Sequence, residues 1–331
     1  MSDVFRNFVE VPTHQSAGKA VKGAPEEPVG LVEAVPNVSE GRRPAVVARI
    51  ADAFAGASPL VRLLDVSSDP DHDRSVLTLA GPPAALLDAA VAGAAACLEL
   101  LDLTAHAGVH PRIGALDVLP FVPLAGATEA ACVRLAHAAG RRLAGQLGLP
   151  VYFYGAAATR PGRAALPAVR NRGFEALLAG AATDPELAPD LGGPRPHPTA
   201  GAVAVGVRPF LIAYNVDLDS SDLALARRIA AAVRERGGGL PAVRAIGLFL
   251  AARGRVQVSM NLLDYRVTAP AAALATVERL AAEAGVAVAG TELVGLVPEA
   301  ALPGLDPALR AAVIAAGQVV ERRLAAAEPL A

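Results

Sequence analysis

Two histidines four residues apart, His106 and His110, give this chain its clearest chemical signal, within LTAHAGVHPRIGALDVLPF (residues 103–121). On a regular helix such a pair shares one face and could bind a metal ion. Gly108 and Pro111 disfavour a helix here, because glycine weakens a helical turn and the residue before proline avoids the helical region. Three roles stay open on local grounds: metal ligands, a general acid/base near neutral pH, or loop residues.

The turn DVSSDPDHDRSV is a second polar cluster. Its charged and titratable side chains are Asp65, Asp69, Asp71, His72, Asp73 and Arg74. Aspartate is common in turns because its carboxylate hydrogen-bonds the nearby backbone, which explains the cluster without chemistry. Alternatively, Asp71 or Asp73 orients an imidazole or positions an amine. A metal site at the histidine pair would also need ligands from this turn.

The stretch VPNVSEGRR places Asn37, Ser39, Glu40 and Arg42 before a predicted helix. Helix N-termini favour anions, although a plain capped helix start explains the same residues. A nucleotide cradle is disfavoured because the chain's glycines lack P-loop spacing, and no nucleophile elbow occurs. The two cysteines, Cys97 and Cys132, are predicted to be buried small hydrophobic residues.

The composition predicts a cytoplasmic globular protein that binds neither nucleic acid nor membranes. The chain has 331 residues, of which 53% are hydrophobic, with 30 basic and 32 acidic residues. Without a basic face, counterion release cannot drive nucleic-acid binding. The N-terminus has no apolar signal-peptide core, and the most apolar stretch, residues 83–101, reads as an amphipathic helix because it contains Asp88 and Glu99.

The pattern predicts two α/β (α+β) halves with a ferredoxin-like arrangement. Residues 1–30 read as a disordered arm, and residues 31–180 as an N-terminal subdomain with the order βαββαβαβ, its first strand ended by Pro36 and Asn37. Residues 207–331 form a C-terminal subdomain with the order βαββαβ, its first helix capped by Asp219 or Ser220. We expect the two mixed sheets to stack on each other with helices outside, and residues 181–206 to form a loop spanning a cleft.

Taken together, the motifs resemble those of the glutamate formimidoyltransferase (formiminotransferase) family. They occur in the family's order over roughly residues 31–300, which makes the set far more specific than any one motif. The matching blocks are VPNVSEG, LLDVSSDPDHDRSV, HAGVHPRIGALDVLPFVP, VYFYGAAATRP, PDLGGPRPHPTAGAVAVGVRPFLIAYNVDL, QVSMNLLDY and TELVGLVP.

The resemblance implies an enzyme of histidine degradation and one-carbon metabolism, with tetrahydrofolate as co-substrate. An enzyme of this family is expected to transfer a formimidoyl group from N-formimidoyl-L-glutamate to N5 of tetrahydrofolate. It is also expected to use no metal and to act as a homodimer. The catalytic histidine falls on His110, the general acid/base. The folate loop falls on Gly192, Gly193, Pro194, Arg195, Pro196, His197, Pro198, Thr199, Ala200 and Gly201.

Further side chains are candidates for binding the glutamate moieties. Arginine pairs with carboxylates by bidentate hydrogen bonds, and the candidates are Arg42, Arg74, Arg112 and Arg170, with surface solvation as the alternative, especially for Arg170. Asn37 and Asp73 complete the predicted substrate-binding set. His106 is predicted to be a loop residue or a partner of the catalytic histidine.

Two positions depart from the family pattern. Val109 stands where a glutamate often precedes the His-Pro-Arg histidine, and Asp73 stands where Asn is common before arginine. Asp73 adds a negative charge near the expected glutamate site. The alternatives are a paralogue with another formyl-type donor, such as 5-formyltetrahydrofolate, and a non-catalytic folate-binding protein. Retention of His110 and Arg112 favours an enzyme.

Overall fold

The computed structural model describes residues 30–70, 72–106 and 111–326, with only the backbone described at residue 252. These residues form two compact units, residues 30–207 and residues 208–326. Each unit contains its own β-sheet, so the predicted mixed α/β class is confirmed. The predicted N-terminal arm lies outside the described residues except for Gly30.

The first unit contains a seven-stranded sheet and five α-helices within its described residues. Its strands are β1 (Val32–Ala34), β2 (Asn37–Val38), β3 (Arg62–Asp69), β4 (Arg74–Gly81), β5 (Leu116–Pro123), β6 (Val151–Gly155) and β7 (Val203–Val207). Its helices are α1 (Pro44–Ala55), α2 (Pro83–Leu100), α3 (Glu129–Leu147), α4 (Leu166–Arg170) and α5 (Gly173–Gly180).

The sheet of the first unit extends a ferredoxin-like core. Strands β1 and β2 both pair antiparallel with β4 on one side and β5 on the other, and β3 pairs with β4. Beyond β5, strands β7 and β6 continue the sheet in parallel. Strand β1 ends at Ala34, before Pro36, as predicted, but Asn37 begins the unpredicted strand β2, where it pairs with Val76 and Val118.

Strand β7 was not predicted, and it lies in the segment interpreted as loop and linker. Its sequence, VAVGV, is a short apolar run with no alternation to show a strand. Its neighbours β5 and β6 are far away along the chain, so sequence proximity gave no hint of pairing. The segment predicted as a loop at residues 181–206 therefore ends within a strand of the first sheet that is paired on both sides.

Helices α1, α2 and α3 pack on one face of this sheet. Gly93 of α2 lies against Phe54 of α1, where a β-carbon would approach the ring to 2.2 Å. Cys97 and Cys132 are fully buried in this core, as predicted. Helix α2 has the length and hydropathy that would let it cross a membrane, yet it packs against both neighbouring helices.

The opposite face of the sheet carries buried polar side chains. Val32 and Ala34 point into the helical core, so Glu33 between them points to the other face, where it is 3% exposed. Helix α4 covers part of this face, where its Val169 packs with Val118 and other residues of the sheet. A polar yet buried sheet face is the kind of surface on which a ligand site is built.

The second unit confirms the predicted βαββαβ order. Its elements are β8 (Ile212–Leu218), α6 (Leu223–Val233), β9 (Val243–Leu250), β10 (Arg255–Leu262), α7 (Pro270–Glu283) and β11 (Val288–Val294), followed by α8 (Pro307–Ala315) and α9 (Val320–Ala326). The antiparallel strand order β11-β8-β10-β9 is that of a ferredoxin-like unit. Asp222, rather than Asp219 or Ser220, caps α6 by accepting from Ala224 and Leu225. The stacking of the two sheets stays a prediction.

Candidate functional site

Segments that are far apart in the sequence meet at Gly114 and Ala115, directly after the His-Pro-Arg motif. The N–H of Ser39 donates to the carbonyl of Ala115 at 2.9 Å, and its hydroxyl donates to the carbonyl of Gly114 at 2.7 Å. From the opposite side, the N–H of Ala115 donates to Ala200 at 2.9 Å, and Gly114 forms a β-bridge with Gly201. The VPNVSEG turn and the predicted folate loop are therefore both fixed to the segment that follows His110.

Glycine is required where these segments cross. A β-carbon on Gly114 would lie 2.0 Å from the carbonyl oxygen of Ala202. A β-carbon on Gly201 would lie 2.1 Å from the carbonyl oxygen of Ile113, and Gly201 has a positive φ of 69°. Such contacts are far below van der Waals distance, so the two backbones approach this closely only because neither residue has a side chain.

Asp73 connects the β3–β4 turn to the VPNVSEG turn. Its φ is 48°, a left-handed conformation that Asp and Asn tolerate better than most residues. Its Oδ1 accepts from the N–H of Gly41 at 2.9 Å, and its Oδ2 lies 3.4 Å from Nη1 of Arg42. The side chain is buried, so Asp73 stabilises the turn, and its charge is compensated locally by Arg42.

Glu40 disfavours anion binding before helix α1. Its Oε1 accepts from the N–H groups of Arg42 and Arg43 at 2.8 Å each, and its Oε2 pairs with the guanidinium of Arg43. Burial alone would raise the pKa of Glu40, but these N–H donors and Arg43 outweigh it, so the pKa lies below its ordinary value. The chain's own carboxylate thus occupies the N–H groups that an anion would use.

His106 is a buried connection between the β3–β4 turn and the His-Pro-Arg segment. Its side chain is 6% exposed, and its Nε2 lies 2.9 Å from the carbonyl oxygen of Asp73. A carbonyl only accepts, so Nε2 carries a proton and donates it to Asp73. Within the described part of the chain, Nδ1 has no hydrogen-bond partner.

Arg112 joins the two described ends that flank residues 107–110. Its Nη2 donates to the carbonyls of Leu103 at 3.3 Å and His106 at 3.2 Å, and contacts Glu175 at 2.9 Å. Its side chain is largely buried, and its guanidinium lies over the ring of Phe174. The predicted role as a carboxylate clamp stays a prediction; the contacts seen are to the protein. His110 itself, with Val109, lies outside the described residues.

A buried carboxylate, Asp117, lies behind this segment. Its Oδ1 accepts from the N–H of Ile113 at 2.7 Å, and its Oδ2 is 2.6 Å from Nη2 of Arg170. Burial raises the pKa of Asp117, although Arg170, the N–H of Ile113 and Arg74 oppose the rise. Arg170 is therefore buried with a partner, and the interpretation that it is surface-solvated is wrong.

Arg74 shares this charged cluster. Burial and then the positive charge of Arg170 lower the pKa of the Arg74 guanidinium, whereas Asp117 and Asp69 raise it. Asp117 was not predicted as a site residue, because it occupies one position of an apolar strand pattern. The run GALDVLPF contains a single carboxylate among apolar residues. Because a fully buried charge needs a partner, this carboxylate could have indicated a buried ion pair.

The other predicted substrate-binding residues lie at the edges of this region. Asn37 of β2 is half-buried, and its Nδ2 donates to the carbonyl of Val35 at 2.9 Å. Arg42 is half-exposed, and its Nε donates to the carbonyl of Pro70 at 2.9 Å. In the turn between β3 and β4, Nδ1 of His72 pairs with the carboxylate of Asp69. Asp71, an alternative ligand in that turn, lies outside the described residues.

The predicted folate loop is held at both ends. At its start, Asp190 accepts from the N–H of Phe153 at 2.8 Å and pairs with Arg163 at 2.9 Å, both side chains of the pair being buried. Gly192 packs on Pro150, and Gly192 and Gly193 both have a φ of 90°.

The exposed residues of the loop are Gly192, Gly193, Pro194, Arg195 and Pro198, whereas Pro196 is buried. At the end of the loop, residues 197–201 form a tight turn. The N–H of His197 donates to Gly201 at 2.7 Å, and the N–H of Gly201 donates back at 2.9 Å. Thr199 accepts from the N–H of Leu103 at 2.8 Å.

No group of three or more His, Cys, Asp or Glu side chains suited to a metal occurs among residues 30–70, 72–106 and 111–326. The absence of a metal stays a prediction, because Asp71 and His110 lie outside these ranges.

Two family models match the chain. The model described as "Formiminotransferase domain, N-terminal subdomain" matches residues 31–208, and the model described as "Formiminotransferase domain" matches residues 213–307. The first match ends one residue beyond the first compact unit. It contains every residue that the sequence analysis placed in the site.

Curated relatives agree with the family models. The chain is 46% identical over 275 residues to a glutamate formimidoyltransferase of Thermoplasma acidophilum, covering 83% of this chain and 90% of that protein. It is 40% identical over 272 residues to a glutamate formimidoyltransferase of Streptococcus pyogenes, covering 82% and 90%. It is 45% identical over 278 residues to a formimidoyltransferase-cyclodeaminase of Sus scrofa, covering 82% of this chain and 51% of that longer protein.

Proposed function

This chain belongs to the formiminotransferase family, and we propose that it transfers a formimidoyl group from N-formimidoyl-L-glutamate to N5 of tetrahydrofolate. The products are glutamate and 5-formimidoyltetrahydrofolate. The prediction of a transferase, made from the ordered motifs, is confirmed by the family and by its curated relatives. The substrates, the catalytic histidine and the homodimer are the parts that we propose.

The observation that carries the proposal is the meeting of four motif segments around Gly114 and Ala115. Ser39 comes from the VPNVSEG turn, and Ala200 and Gly201 come from the predicted folate loop. The β3–β4 turn joins through the contact of His106 with Asp73. A substrate bound beside His110 would therefore be surrounded by segments whose relative positions are fixed by hydrogen bonds, as orientation of two reactants requires.

The proposed chemistry needs one group that moves protons. N5 of tetrahydrofolate attacks the amidine carbon of the donor, a new C–N bond forms, and a tetrahedral intermediate results. N5 then loses its proton, and the bond from the same carbon to the glutamate nitrogen breaks as that nitrogen gains a proton. We assign both transfers to His110, because an imidazole changes charge near neutral pH.

The cluster of Arg74, Arg170 and Asp117 suits a carboxylate of the donor. The two guanidinium groups lie close enough for Arg170 to lower the pKa of Arg74 in addition to the effect of burial, while Asp117 and Asp69 oppose that effect. An added carboxylate lowers the remaining repulsion and gains charge-assisted hydrogen bonds. We therefore propose that the glutamate part of the donor binds on this side of the sheet.

The contacts of Asp73 favour the formimidoyl donor over a formyl donor. An amidine is protonated near neutral pH and carries a positive charge, whereas a formyl group is neutral. A nearby carboxylate attracts the cation and gives a formyl group no charge to pair with. Arg42 and the N–H of Gly41 pair with this carboxylate, so both its attraction for the amidinium and its repulsion of the donor's glutamate are reduced.

The experiment is a comparison of two reactions of the purified protein. We expect turnover with tetrahydrofolate and N-formimidoyl-L-glutamate, detected as 5-formimidoyltetrahydrofolate by mass spectrometry, and unchanged by a chelator. Formyl transfer from 5-formyltetrahydrofolate to glutamate is expected to be much slower. Faster turnover with the formyl donor would contradict the assignment of the donor. Binding of tetrahydrofolate with no turnover of either pair would contradict the proposed enzyme.

A further inference from the structure

We propose that the outer edge of strand β9 pairs antiparallel with β9 of a second copy of this chain, which joins two four-stranded sheets across a two-fold axis. The inference rests on the homodimer that is part of the proposed function, and it assigns that dimer a surface. It starts from the edges of the two sheets. An open edge presents a row of unpaired N–H and C=O groups, and monomeric proteins usually cover or disrupt such edges.

Both edges of the first sheet are disrupted or covered. Strand β3 has a register shift between Leu63 and Asp65, and a bulge beside a charge is a feature that prevents further pairing. At the other edge, the carbonyl of Val151 in β6 accepts from the N–H of Asp190 at 2.8 Å. The N–H of Phe153 donates to the carboxylate of Asp190 at 2.8 Å. The backbone of β6 is therefore already paired by the segment that follows α5.

One edge of the second sheet is also covered. Strand β11 has a register shift between Val288 and Gly290. At the end of the same strand, the side-chain amide of Gln318 donates to the carbonyls of Leu293 at 2.8 Å and Gly295 at 3.0 Å. The segment before α9 therefore lies where a further strand would pair with β11, and β9 is the remaining edge.

Strand β9 has none of these features. Its sequence, VRAIGLFL, contains no proline, lysine or acidic residue, and the strand pairs with β10 over its whole length without a register shift. The carbonyl of Ala242 accepts from the N–H of Leu263, so this pair of the ladder is hydrogen-bonded. Because such pairs alternate, the N–H and C=O groups of Ala245, Gly247 and Phe249 point to the outer edge. Within the described part of the second unit, no hydrogen bond reaches this outer row.

The exposed side chains of β9 are mostly apolar. Ile246 is 55% exposed, Leu248 is 39% exposed, and Phe249 near the end of the strand is 48% exposed. A β-carbon on Gly247 would lie 2.4 Å from the backbone nitrogen of Arg227, so Gly247 faces helix α6. Side chains alternate along a strand, so Ile246 and Leu248 lie on the opposite face. Strand addition at this edge would bury these apolar side chains beside the new ladder.

The sequence of β9 is complementary to itself, which points to a second copy as the partner. In a two-fold antiparallel pair centred on Gly247, Ile246 of each copy lies opposite Leu248 of the other. Apolar pairs directly across a ladder stabilise it. A pair centred on Leu248 would include fewer residues of the strand. A pair centred on Ile246 would place the charge of Arg244 opposite Leu248, whereas the centre at Gly247 leaves Arg244 at the ends.

A disulfide cross-link tests this register directly. Residues 246 and 248 of the two copies would form non-hydrogen-bonded pairs, whose α-carbons lie about 4.5 Å apart and suit a disulfide. We expect Ile246→Cys/Leu248→Cys to give a covalent dimer on a non-reducing gel after treatment with diamide, which is reduced as two thiols are oxidised to the disulfide. Ile246→Cys alone should stay unlinked, because its thiols lie on a diagonal of about 7–8 Å. The native Cys97 and Cys132 are fully buried and do not compete.

Light scattering tests the interface without a cross-link. We expect the wild type to have the mass of a dimer and Ile246→Lys to have the mass of a monomer at the same concentration, because lysine on an edge strand prevents pairing. Val267→Lys is the matched control, since Val267 is 57% exposed and lies outside β9, and it should remain a dimer. Far-UV circular dichroism checks that each variant keeps its fold.

The outcomes separate the interface from the reaction. A dimeric Ile246→Lys variant, or a double cysteine variant that stays unlinked, would overturn the inference. A monomeric wild type that turns over the formimidoyl donor would also overturn it and leave the proposed reaction intact. A wild-type dimer with the expected cross-link but without turnover would support this interface and overturn the proposed reaction instead.

Discussion

The Nε2 atom of His106 lies 2.9 Å from the carbonyl oxygen of Asp73, and this contact joins the β3–β4 turn to the segment that precedes the His-Pro-Arg motif. The ring is almost fully buried, so the hydrogen bond is shielded from water. A buried donor that loses its acceptor, or a carbonyl that loses its donor, costs about 1–3 kcal/mol. The contact therefore contributes to stability and fixes the last described residue before the His-Pro-Arg motif.

We expect His106→Ala to lower the free energy of unfolding by about 1–3 kcal/mol, because the carbonyl of Asp73 loses its donor. His106→Gln is the matched control, since its side-chain N–H₂ can occupy the position of Nε2 and restore the bond. Urea unfolding of both variants measures the difference. Equal destabilisation by Ala and Gln would show that the hydrogen bond does not matter and that the ring acts through packing alone.

Asp117→Asn is expected to destabilise the first unit by about 3–5 kcal/mol, because Arg170 then remains buried without its carboxylate partner. The Asn side chain can still accept from the N–H of Ile113, so the loss of unfolding free energy reports on the removed charge and not on that hydrogen bond. The double variant Asp117→Asn/Arg170→Met should recover much of the stability, since it removes both charges. Chemical unfolding tests this, and a double variant less stable than Asp117→Asn would contradict it.

Glu40→Gln should change how stability depends on pH. The pKa of Glu40 in the folded chain lies below its ordinary value near 4.5, so the ionised carboxylate stabilises the fold above that pH. The contribution is lost as the pH falls through the lowered pKa. We expect the difference in unfolding free energy between the wild type and Glu40→Gln to be largest near pH 7 and to shrink below about pH 4.5. A difference that grew toward acid would contradict the contacts of Glu40 with Arg42 and Arg43.

Gly114→Ala should disrupt the site, whereas Gly145→Ala should not. The added carbon at Gly114 would lie 2.0 Å from a backbone oxygen of Ala202, so the crossing of the two segments must open. Gly145 lies in helix α3 with open space at its β-carbon, and alanine is about 1 kcal/mol better than glycine in a helix. Melting temperatures and turnover of the pair test this. A Gly114→Ala variant as stable and active as the wild type would contradict the close approach.

Periodicity and turn residues predicted most of the fold. Strand β10, Arg255–Leu262, was predicted with its observed bounds, because alternation and the turn before it were both clear. Strand β7 was missed, since a short apolar run has no period and its pairing depends on tertiary contacts. The cap of α6 was misplaced by two to three residues among Asp219, Ser220 and Asp222, all of which are chemically able to cap.

The residues of the site were harder to predict than the segments that contain them. Motifs identified the segments, but Asp73 and Glu40 turned out to hold backbone N–H groups that no sequence pattern reveals. Arg170 and Asp117 form a buried pair 53 residues apart, and residue types alone do not indicate which long-range charges meet. Local chemistry is readable from sequence, whereas burial and pairing come from the fold.

The most direct test of the central claim is turnover and tetrahydrofolate binding by His110→Ala. As the residue that moves protons in both halves of the transfer, His110 is expected to contribute about 10²–10⁴-fold to kcat. We predict that the variant loses turnover by that factor and binds tetrahydrofolate within about 3-fold of the wild type, a change under about 1 kcal/mol. A variant that turns over N-formimidoyl-L-glutamate at a rate close to that of the wild type would contradict the account.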